Sequence, residues 1–313
     1  MPLVSIIIPS YNSSRWLGAT LESALAQTHR TREIIVIDDG STDDSLALAR
    51  SFAPRGVRVY AQPNSGAASA RNHGLAVARG TYIQFLDADD LLAPDKISIQ
   101  LARLADAPAG SVASASWTRF YDKISDAVFE TQPVWRDLSG LDFLCAHYDD
   151  YWMMPPIAWL SPRSLLDEAG PWRNDISLND DGEYFCRVLL RSAGIVFCPE
   201  ARCYYRSGLP GSLSRRADAP ALQSLVRSIE ANTTAMLAHE DSPRVRQSVA
   251  NAWQRLAYDI YPVLLSEADA AARRARSFGG SSRGIQGGRL VRWTERIFGW
   301  RAAARVKYRS AKI

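Results

Sequence analysis

Cysteine and histidine are scarce, four of each in 313 residues. Cys145, Cys186, Cys198 and Cys203 stand 41, 12 and 5 residues apart with no CxxC pair. That spacing excludes a disulfide framework and a cysteine-type zinc site, and leaves reduced core thiols as the expectation. No run approaches the ~20 uninterrupted apolar residues of a membrane-spanning helix. Met1 leads into the apolar residues 4–8 with no basic stretch or cleavage site, so a cytoplasmic chain is expected. No internal repeat is present. With 47% apolar and 22% charged residues, disorder and collagen-like structure are excluded as well. The first apolar run is not followed by GxGxxG, the phosphate-binding turn that a dehydrogenase would need there.

Acidic residues are almost missing from the C-terminal end. Residues 271–313 carry twelve Lys or Arg against one acid, Glu295, which leaves 25 basic and 32 acidic residues for 1–270. An acidic body argues against a nucleic-acid partner, because a surface that tracks phosphates carries its cations within the folded module. In the tail, Leu290, Trp293, Ile297, Trp300 and Ala304 recur at helical steps, while Arg292, Arg296, Arg301, Arg305, Lys307 and Arg309 fill other positions. A helix so patterned either lies on an anionic membrane surface through residues 288–309 or packs on protein.

What is present is first a rhythm. Val4-Ser5-Ile6-Ile7-Ile8, Glu33-Ile34-Ile35-Val36-Ile37 and Val57-Arg58-Val59-Tyr60 are β-branched runs separated by helical spacing such as Trp16, Leu17, Leu21, Ala24 and Leu25. Continuous apolar strands are buried on both faces, as crossover helices bury a parallel sheet. Asn12-Ser13-Ser14 and Ser41-Thr42-Asp43 offer N-cap side chains after the first two strands. A fourth strand, 82–86, ends in Asp87-Ala88-Asp89-Asp90. Beyond it the pattern loosens into strands at 114–121, 158–161, 195–197 and 203–206 and a helix at 181–190. A helical pair follows over 217–266, then a Gly/Ser-rich linker at 277–288 that is expected to be flexible. The expected architecture is α/β: a mainly parallel sheet flanked by helices, a mixed second half and a C-terminal helical extension. The expected divisions are 1–215, with halves 1–110 and 111–215, then 216–268 and 269–313.

The second feature is a set of carboxylates. Asp87 and Asp89 lie one residue apart at a strand end, where extended backbone aims alternate side chains to one side. Two convergent anions repel unless a cation joins them, and hard oxygen ligands suit Mg²⁺ or Mn²⁺. Alone, such a pair is better read as a solvated turn or a helix cap, and it is its position that changes the weighting. Asp38-Asp39-Gly40-Ser41-Thr42-Asp43 follows strand two on the same edge, the edge where open α/β sheets bind ligands. Asp39 is placed to accept a hydrogen bond from a base or ribose, or to cap the next helix. Arg71, after the small residues of Asn64-Ser65-Gly66-Ala67-Ala68-Ser69-Ala70, either grips the acidic loops or a phosphate or lies on a solvated face.

VSIIIPSYN, IDDGSTD, NSGAASARNHG and FLDADD, in this order, resemble glycosyltransferase family 2, the inverting enzymes of the GT-A fold, over roughly the first 215 residues. The run Leu178-Asn179-Asp180-Asp181-Gly182-Glu183-Tyr184-Phe185-Cys186-Arg187 resembles the family's ED-x-E-x-x-x-R helix, with Asp180 replacing Glu. Tyr204-Tyr205-Arg206 with Gly211-Ser212-Leu213-Ser214 is similar to the family's loop beside the donor diphosphate. The resemblance implies that Pro9, Tyr11, Asn12, Asp39 and Arg71 line a nucleotide-sugar site, with Asp87 near the ribose and Arg206 near the diphosphate. It implies further that Asp89, with Asp87, holds Mg²⁺ or Mn²⁺, and that Asp181 is the general base toward a saccharide or lipid-linked acceptor. The Q-x-x-R-W motif of processive relatives is missing. The nearest match, Gln286-Gly287-Gly288-Arg289-Leu290, lacks the Trp and lies in the tail, so transfer of one sugar is expected. The same resemblance implies a cytoplasmic enzyme of surface polysaccharide assembly, peripheral on the inner face of the membrane if the tail binds lipid. Two alternatives stand beside it: a non-catalytic sugar-nucleotide-binding scaffold and a sugar-1-phosphate nucleotidylyltransferase, although Pro9-Ser10-Tyr11-Asn12 is not the Gly-rich loop the latter needs. Of Trp117, Trp135, Trp152, Trp159 and Trp172, at most one or two are expected to face an acceptor. Residues 148–159, with Pro155-Pro156, are the expected acceptor-shaping loop.

Overall fold

Val4, Ile6, Ile7 and Ile8 expose no surface, and the strand they form is the middle one of a five-stranded sheet. The computed structural model describes residues 1–209 and 216–310. In chain order the elements begin with β1 (Val4–Ser10), α1 (Ser14–Leu25), β2 (Arg32–Asp38), α2 (Ser45–Ser51), β3 (Val57–Ala61), α3 (Ala67–Val77) and β4 (Tyr82–Phe85). Next come β5 (Leu91–Leu92), α4 (Lys96–Ala105), β6 (Val112–Phe120), α5 (Gly140–Asp150), β7 (Ser161–Pro162), α6 (Arg163–Ala169), α7 (Asp180–Arg191) and β8 (Ile195–Arg206). Among the described residues five helices follow: α8 (Ala219–His239), α9 (Pro243–Ile260), α10 (Leu265–Ser277), α11 (Arg289–Phe298) and α12 (Trp300–Ser310). Two units alternate along it. Among the described residues the first comprises 1–140, 152–175 and 187–209, and the second 141–151, 176–186 and 216–310.

In the first unit the sheet order is β3-β2-β1-β4-β7. The first four strands run parallel, with Ile7 opposite both Ile35 and Phe85, and β7 is antiparallel to β4. Helix α3 lies close against β1 because residue 74 is glycine. A Cβ there would stand 2.3 Å from Ile7 Cγ2. A second sheet, β5-β8-β6, pairs β6 and β8 in parallel. The two strands expected at 195–197 and 203–206 are one strand of 12 residues. Its pairing steps from Ala115/Cys198 to Ser116/Arg202, so the segment containing Pro199, which has no N–H to give the ladder, bulges out. The strand expected at 158–161 shrinks to Ser161–Pro162, because Pro156–Ala158 turns as a 3-10 helix.

A polar pair is sealed inside this unit. Lys96 and Gln84 expose no surface. The Lys96 ammonium donates to Gln84 Oε1 and to the Trp159 carbonyl, and Gln84 Nε2 donates to the Phe85 and Ile157 carbonyls at 2.6 and 3.0 Å. Burial pushes Lys96 down to about 7. Between there and its ordinary value near 10.5 the unfolded chain binds one proton more than the native chain, so stability rises with pH by about 1.4 kcal/mol per unit. Lys96→Met is expected to remove that slope. Urea unfolding of both proteins at several pH values from 7 upward checks it, and parallel stability curves would refute a shifted lysine.

The second unit is helical. Helix α8 is capped by Asp218, which accepts from the Ala221 amide at 3.0 Å, and α9 by Ser242, which accepts from Val245 at 3.4 Å. Pro220 and Pro243 in the first turns fit the same ends. Helix α9 buries Val245, Val249, Trp253, Leu256 and Ile260, and α10 buries Ala268, Ala271, Ala272 and Ala275, small side chains that let two helices approach closely. Residue 269 therefore lies inside a packed helix. The linker after α10 is tied down: Ile285 is buried, Ser281 donates to Asn251 at 2.6 Å, and the Arg283 carbonyl accepts from Tyr258 at 3.0 Å.

Candidate active site

β1, β2 and β3 follow one another to one side of the sheet, whereas β4 lies on the other side of β1. The strand order therefore reverses between β1 and β4, and outside their carboxyl ends the diverging connections leave a crevice where open α/β sheets bind ligands. Ser10, Asp38 and Phe85 end their strands on that edge.

The loops after β1 and β2 are laced together. Asn12, held at φ 47, donates its N–H to Ser41 Oγ at 3.0 Å and accepts from the Thr42 amide at 2.8 Å. Neither Ser13 nor Asp44, the N-cap residues of α1 and α2, caps through its side chain. Asp43 instead accepts from the Ser14 amide at 3.1 Å and the Ser45 amide at 2.9 Å, serving both helices at once. Burial alone would raise Asp43, but the donors of Ser45 and Ser14 outweigh it and hold the carboxyl at about 2. Pro9 is half-buried opposite Ile37, and the Tyr11 ring is 52% exposed at the edge.

Asp39 is buried. One oxygen accepts from Gln62 Nε2 at 2.8 Å and the Ser65 amide at 2.9 Å, the other from the Gly66 amide at 2.8 Å. It thus clamps the turn before α3, and an imide or ribose donor would use its remaining lone pair. Gly40 makes the approach possible. Its φ is +73, and a Cβ there would stand 2.7 Å from the Asn64 nitrogen.

Arg71 is buried and donates to Asp87 Oδ1 at 2.8 Å, with its guanidinium 4.5 Å from the Trp172 ring centroid. Trp172 is held by a reciprocal pair, its carbonyl and amide each 2.8 Å from the Asn72 side chain. Trp172 thus supports the arginine. Trp117 and Trp159 are buried too. Asp89 forms no ion pair among the described residues: burial and then the Asp87 charge push it up to about 6, against the pull of the nearby Arg206 guanidinium. Asp90 is pushed well above the carboxylate range by burial, then by Asp89 and Asp87, and accepts from the Arg206 amide at 2.8 Å. The Arg206 guanidinium lies 4.2 Å from Trp16 and 4.3 Å from Phe120, and donates to the carbonyls of Asp89 at 2.9 Å and Tyr121 at 3.0 Å. So engaged, it positions the Asp89 turn. Nothing local in the sequence marks Trp16 and Phe120 as its partners. Gly211 to Ser214 lie outside the described residues.

These carboxylates fit a divalent cation. Two hard oxygen groups of like charge are crowded together, and of the two only Asp87 is ion-paired among the described residues. Among the described residues no three His, Cys, Asp or Glu side chains converge on one point. A small cation bound through one or two carboxylates, with phosphate and water oxygens completing its shell, needs no third protein ligand.

In the second unit, Asp181 lies in the first turn of α7. Asn179, at φ 63, precedes it, and Asp181 Oδ1 accepts from the Gly182 amide at 2.8 Å. The approach is fastened to α8. Ser224 Oγ accepts from the Ser177 amide at 2.7 Å and the Leu178 amide at 3.1 Å, Ser228 Oγ accepts from Asn179 Nδ2 at 2.6 Å, and Asn232 Nδ2 donates to the Gly182 carbonyl at 3.2 Å. Ser224, Ser228 and Asn232 recur every fourth residue. That buried polar stripe, visible in the sequence beside Leu222, Leu225 and Ile229, is the signal that would have identified the support of Asp181.

Known proteins resemble this chain in sequence and in fold. An uncharacterized glycosyltransferase of Rickettsia felis is 50% identical over 99 residues, 31% of this chain and 16% of the relative. The chain spans less than half the length of such curated relatives. The Staphylococcus aureus TarS 1-349 structure in complex with UDP-GlcNAc superposes with a TM-score of 0.64 at 16% identity, covering 92% of this chain and 97% of that one. The mannosyltransferase PcManGT of Pyrobaculum calidifontis, in complex with GDP-Man and Mn²⁺, gives 0.60 at 19% identity over 98% and 86%. These likenesses establish a GT-A fold. Residues 5–152, the stretch that holds β1 to β4 and both acidic loops, match the model of the family described as Glycosyl transferase family 2.

Proposed function

We propose that the chain is an inverting glycosyltransferase that moves one sugar from a nucleotide-diphosphate sugar to a hydroxyl of a saccharide or lipid-linked saccharide, on the cytoplasmic side of the membrane in surface polysaccharide assembly. The observation that carries this reading is the Asp87–Asp89 pair at the β1/β4 switch point, with Arg71 ion-paired to Asp87 and no ion pair on Asp89 among the described residues. The family match over residues 5–152, and the nucleotide sugars and Mn²⁺ named for the two superposed structures, support the donor class and the cation.

In this reading Pro9, Tyr11 and Asp39 receive the base, Arg71 fixes Asp87 toward the ribose, and Asn12 keeps the first two loops in register. Asp89, with Asp87 beside it, would hold Mg²⁺ or Mn²⁺. When bound, the cation neutralises charge developing on the β-phosphate of the departing nucleotide diphosphate. Arg206 acts through the Asp89 carbonyl. Asp181 takes the proton of the acceptor hydroxyl as its oxygen attacks the anomeric carbon opposite the leaving group, which inverts that centre.

Thermal unfolding with a panel of nucleotide diphosphates and nucleotide sugars, each with and without Mn²⁺, tests the reading, because a ligand bound only by the native state raises Tm. One nucleotide family that raises Tm more with Mn²⁺ is expected. No response from any of them would end the proposal, and Mn²⁺-dependent donor hydrolysis separates an enzyme from a binding scaffold.

A further inference from the structure

The cationic tail divides into two helices that do different things. Gly299, at φ 78, ends α11. In α12 the apolar side is already covered: Ala303 and Ala304 are buried, and Trp300 packs on Tyr258 and Tyr261 with ring centroids 5.6 and 5.4 Å apart. Two of its cations are also paired, Arg301 with Asp269 at 2.6 Å and Lys307 with Asp259 at 3.2 Å. Of the five residues whose spacing suggested a single stripe, Trp300 and Ala304 therefore pack on protein.

Helix α11 is different. Its inward side is Val291, which fits against Gly287, with Thr294 and with Glu295, whose carboxylate accepts from the Ile285 amide at 3.0 Å. The one acid of the tail is thereby turned toward the linker. Leu290, Trp293, Ile297 and Phe298 remain 53–65% exposed. At ~100° per residue, Trp293, Ile297 and Leu290 share about 60° of arc, and Arg292, Arg296 and Arg289 occupy the adjacent 60° or so. These three arginines are exposed and form no ion pair among the described residues. Among those residues no helix is long and apolar enough to cross a membrane.

We propose that α11 docks the chain on an anionic lipid bilayer, with Trp293, Ile297 and Leu290 entering the headgroup–acyl boundary and Arg289, Arg292 and Arg296 bound to lipid phosphates. Charge complementarity selects this occupant. A second copy of the chain would set the three arginines against an equally cationic helix, whereas an anionic interface satisfies both sides of α11 at once. An aromatic side chain with a polar edge, Trp293, suits that boundary. The docking is independent of which nucleotide the first unit binds.

Co-sedimentation of the full chain with vesicles tests this. The chain is expected to bind vesicles of equimolar phosphatidylcholine and phosphatidylglycerol, to ignore phosphatidylcholine alone, and to be released by salt. The triple variant Leu290→Gln/Trp293→Gln/Ile297→Gln is expected to lose on the order of 100-fold in affinity. The triple variant Arg289→Gln/Arg292→Gln/Arg296→Gln should lose a similar factor, roughly fivefold per arginine. All six side chains are exposed, so both variants should unfold at the native temperature, which circular dichroism verifies. Equal binding to the two lipid mixtures, or native-like binding by the apolar variant, overturns the proposal. So does self-association of the native chain that the apolar variant abolishes while neither binds lipid.

Discussion

Asp181→Asn is expected to bind nucleotide diphosphate as tightly as the native chain and to transfer sugar roughly 10²–10⁴-fold more slowly, the range over which a positioned general base contributes. The substitution keeps the size and shape of the side chain while removing its charge and its proton affinity. The amide oxygen of asparagine can keep the bond from Gly182 that Asp181 Oδ1 now accepts. The chain leading to it is fastened by Ser224, Ser228 and Asn232 through bonds that do not involve the carboxylate. A loss of turnover with unchanged unfolding and unchanged donor affinity would thus belong to the base and not to a disturbed fold. Calorimetric titration with nucleotide diphosphate alongside single-turnover transfer separates the two. A variant that keeps most of its turnover removes Asp181 from the mechanism and returns it to the simpler role of an anion at a helix N-terminus, where it would stabilise by about 0.3–1 kcal/mol.

What could be read in advance follows the range of the interactions. Ile6, Ile7 and Ile8 form a continuous apolar run, so β1 and its burial on both faces were legible from three residues. The paired carboxylates at 87 and 89 were legible from the strand that carries them. Contacts between distant segments were not. Asp43 looked like a cap for the helix it precedes, yet it also caps α1, because strands adjacent in the sheet bring the two loops together. Helix α10 was hidden by its arginines: positive charge over 271–276 placed these residues in the basic tail 269–313, while the alanines at 268, 271, 272 and 275 carried the packing signal. The linker looked flexible by composition, but Ile285 and Ser281 anchor it. The tail stripe failed where a single glycine at positive φ resets the helix phase. Local periodicity names a face, and only tertiary structure says what covers it.

Asp89→Ala is expected to leave the ligand-free chain at least as stable as the native one while eliminating the Mn²⁺-dependent part of donor binding, a loss of roughly 100-fold or more. The two halves of this expectation have one cause. Asp87 and Asp89 stand at the same strand end, but Arg71 satisfies only Asp87. Burial and the Asp87 charge push Asp89 upward, so its ionised form is held at a cost in the free protein. A carboxyl whose native pKa is raised favours folding below its ordinary range, and that contribution is lost as pH rises through the native value, so at neutral pH the alanine removes a burden. Asp87→Ala differs in kind. It would break the ion pair to the buried Arg71 guanidinium, and breaking a buried pair by removing one member is destabilising. Paired measurements of Tm without ligand, and of nucleotide-diphosphate affinity with and without Mn²⁺, therefore distinguish a ligand carboxylate from a positioning one at neighbouring positions. If Asp89→Ala bound donor with an undiminished Mn²⁺ increment, the cation would have to be assigned to other residues. If it lowered Tm as much as Asp87→Ala, the strained-anion account of the β4 turn would fail with it.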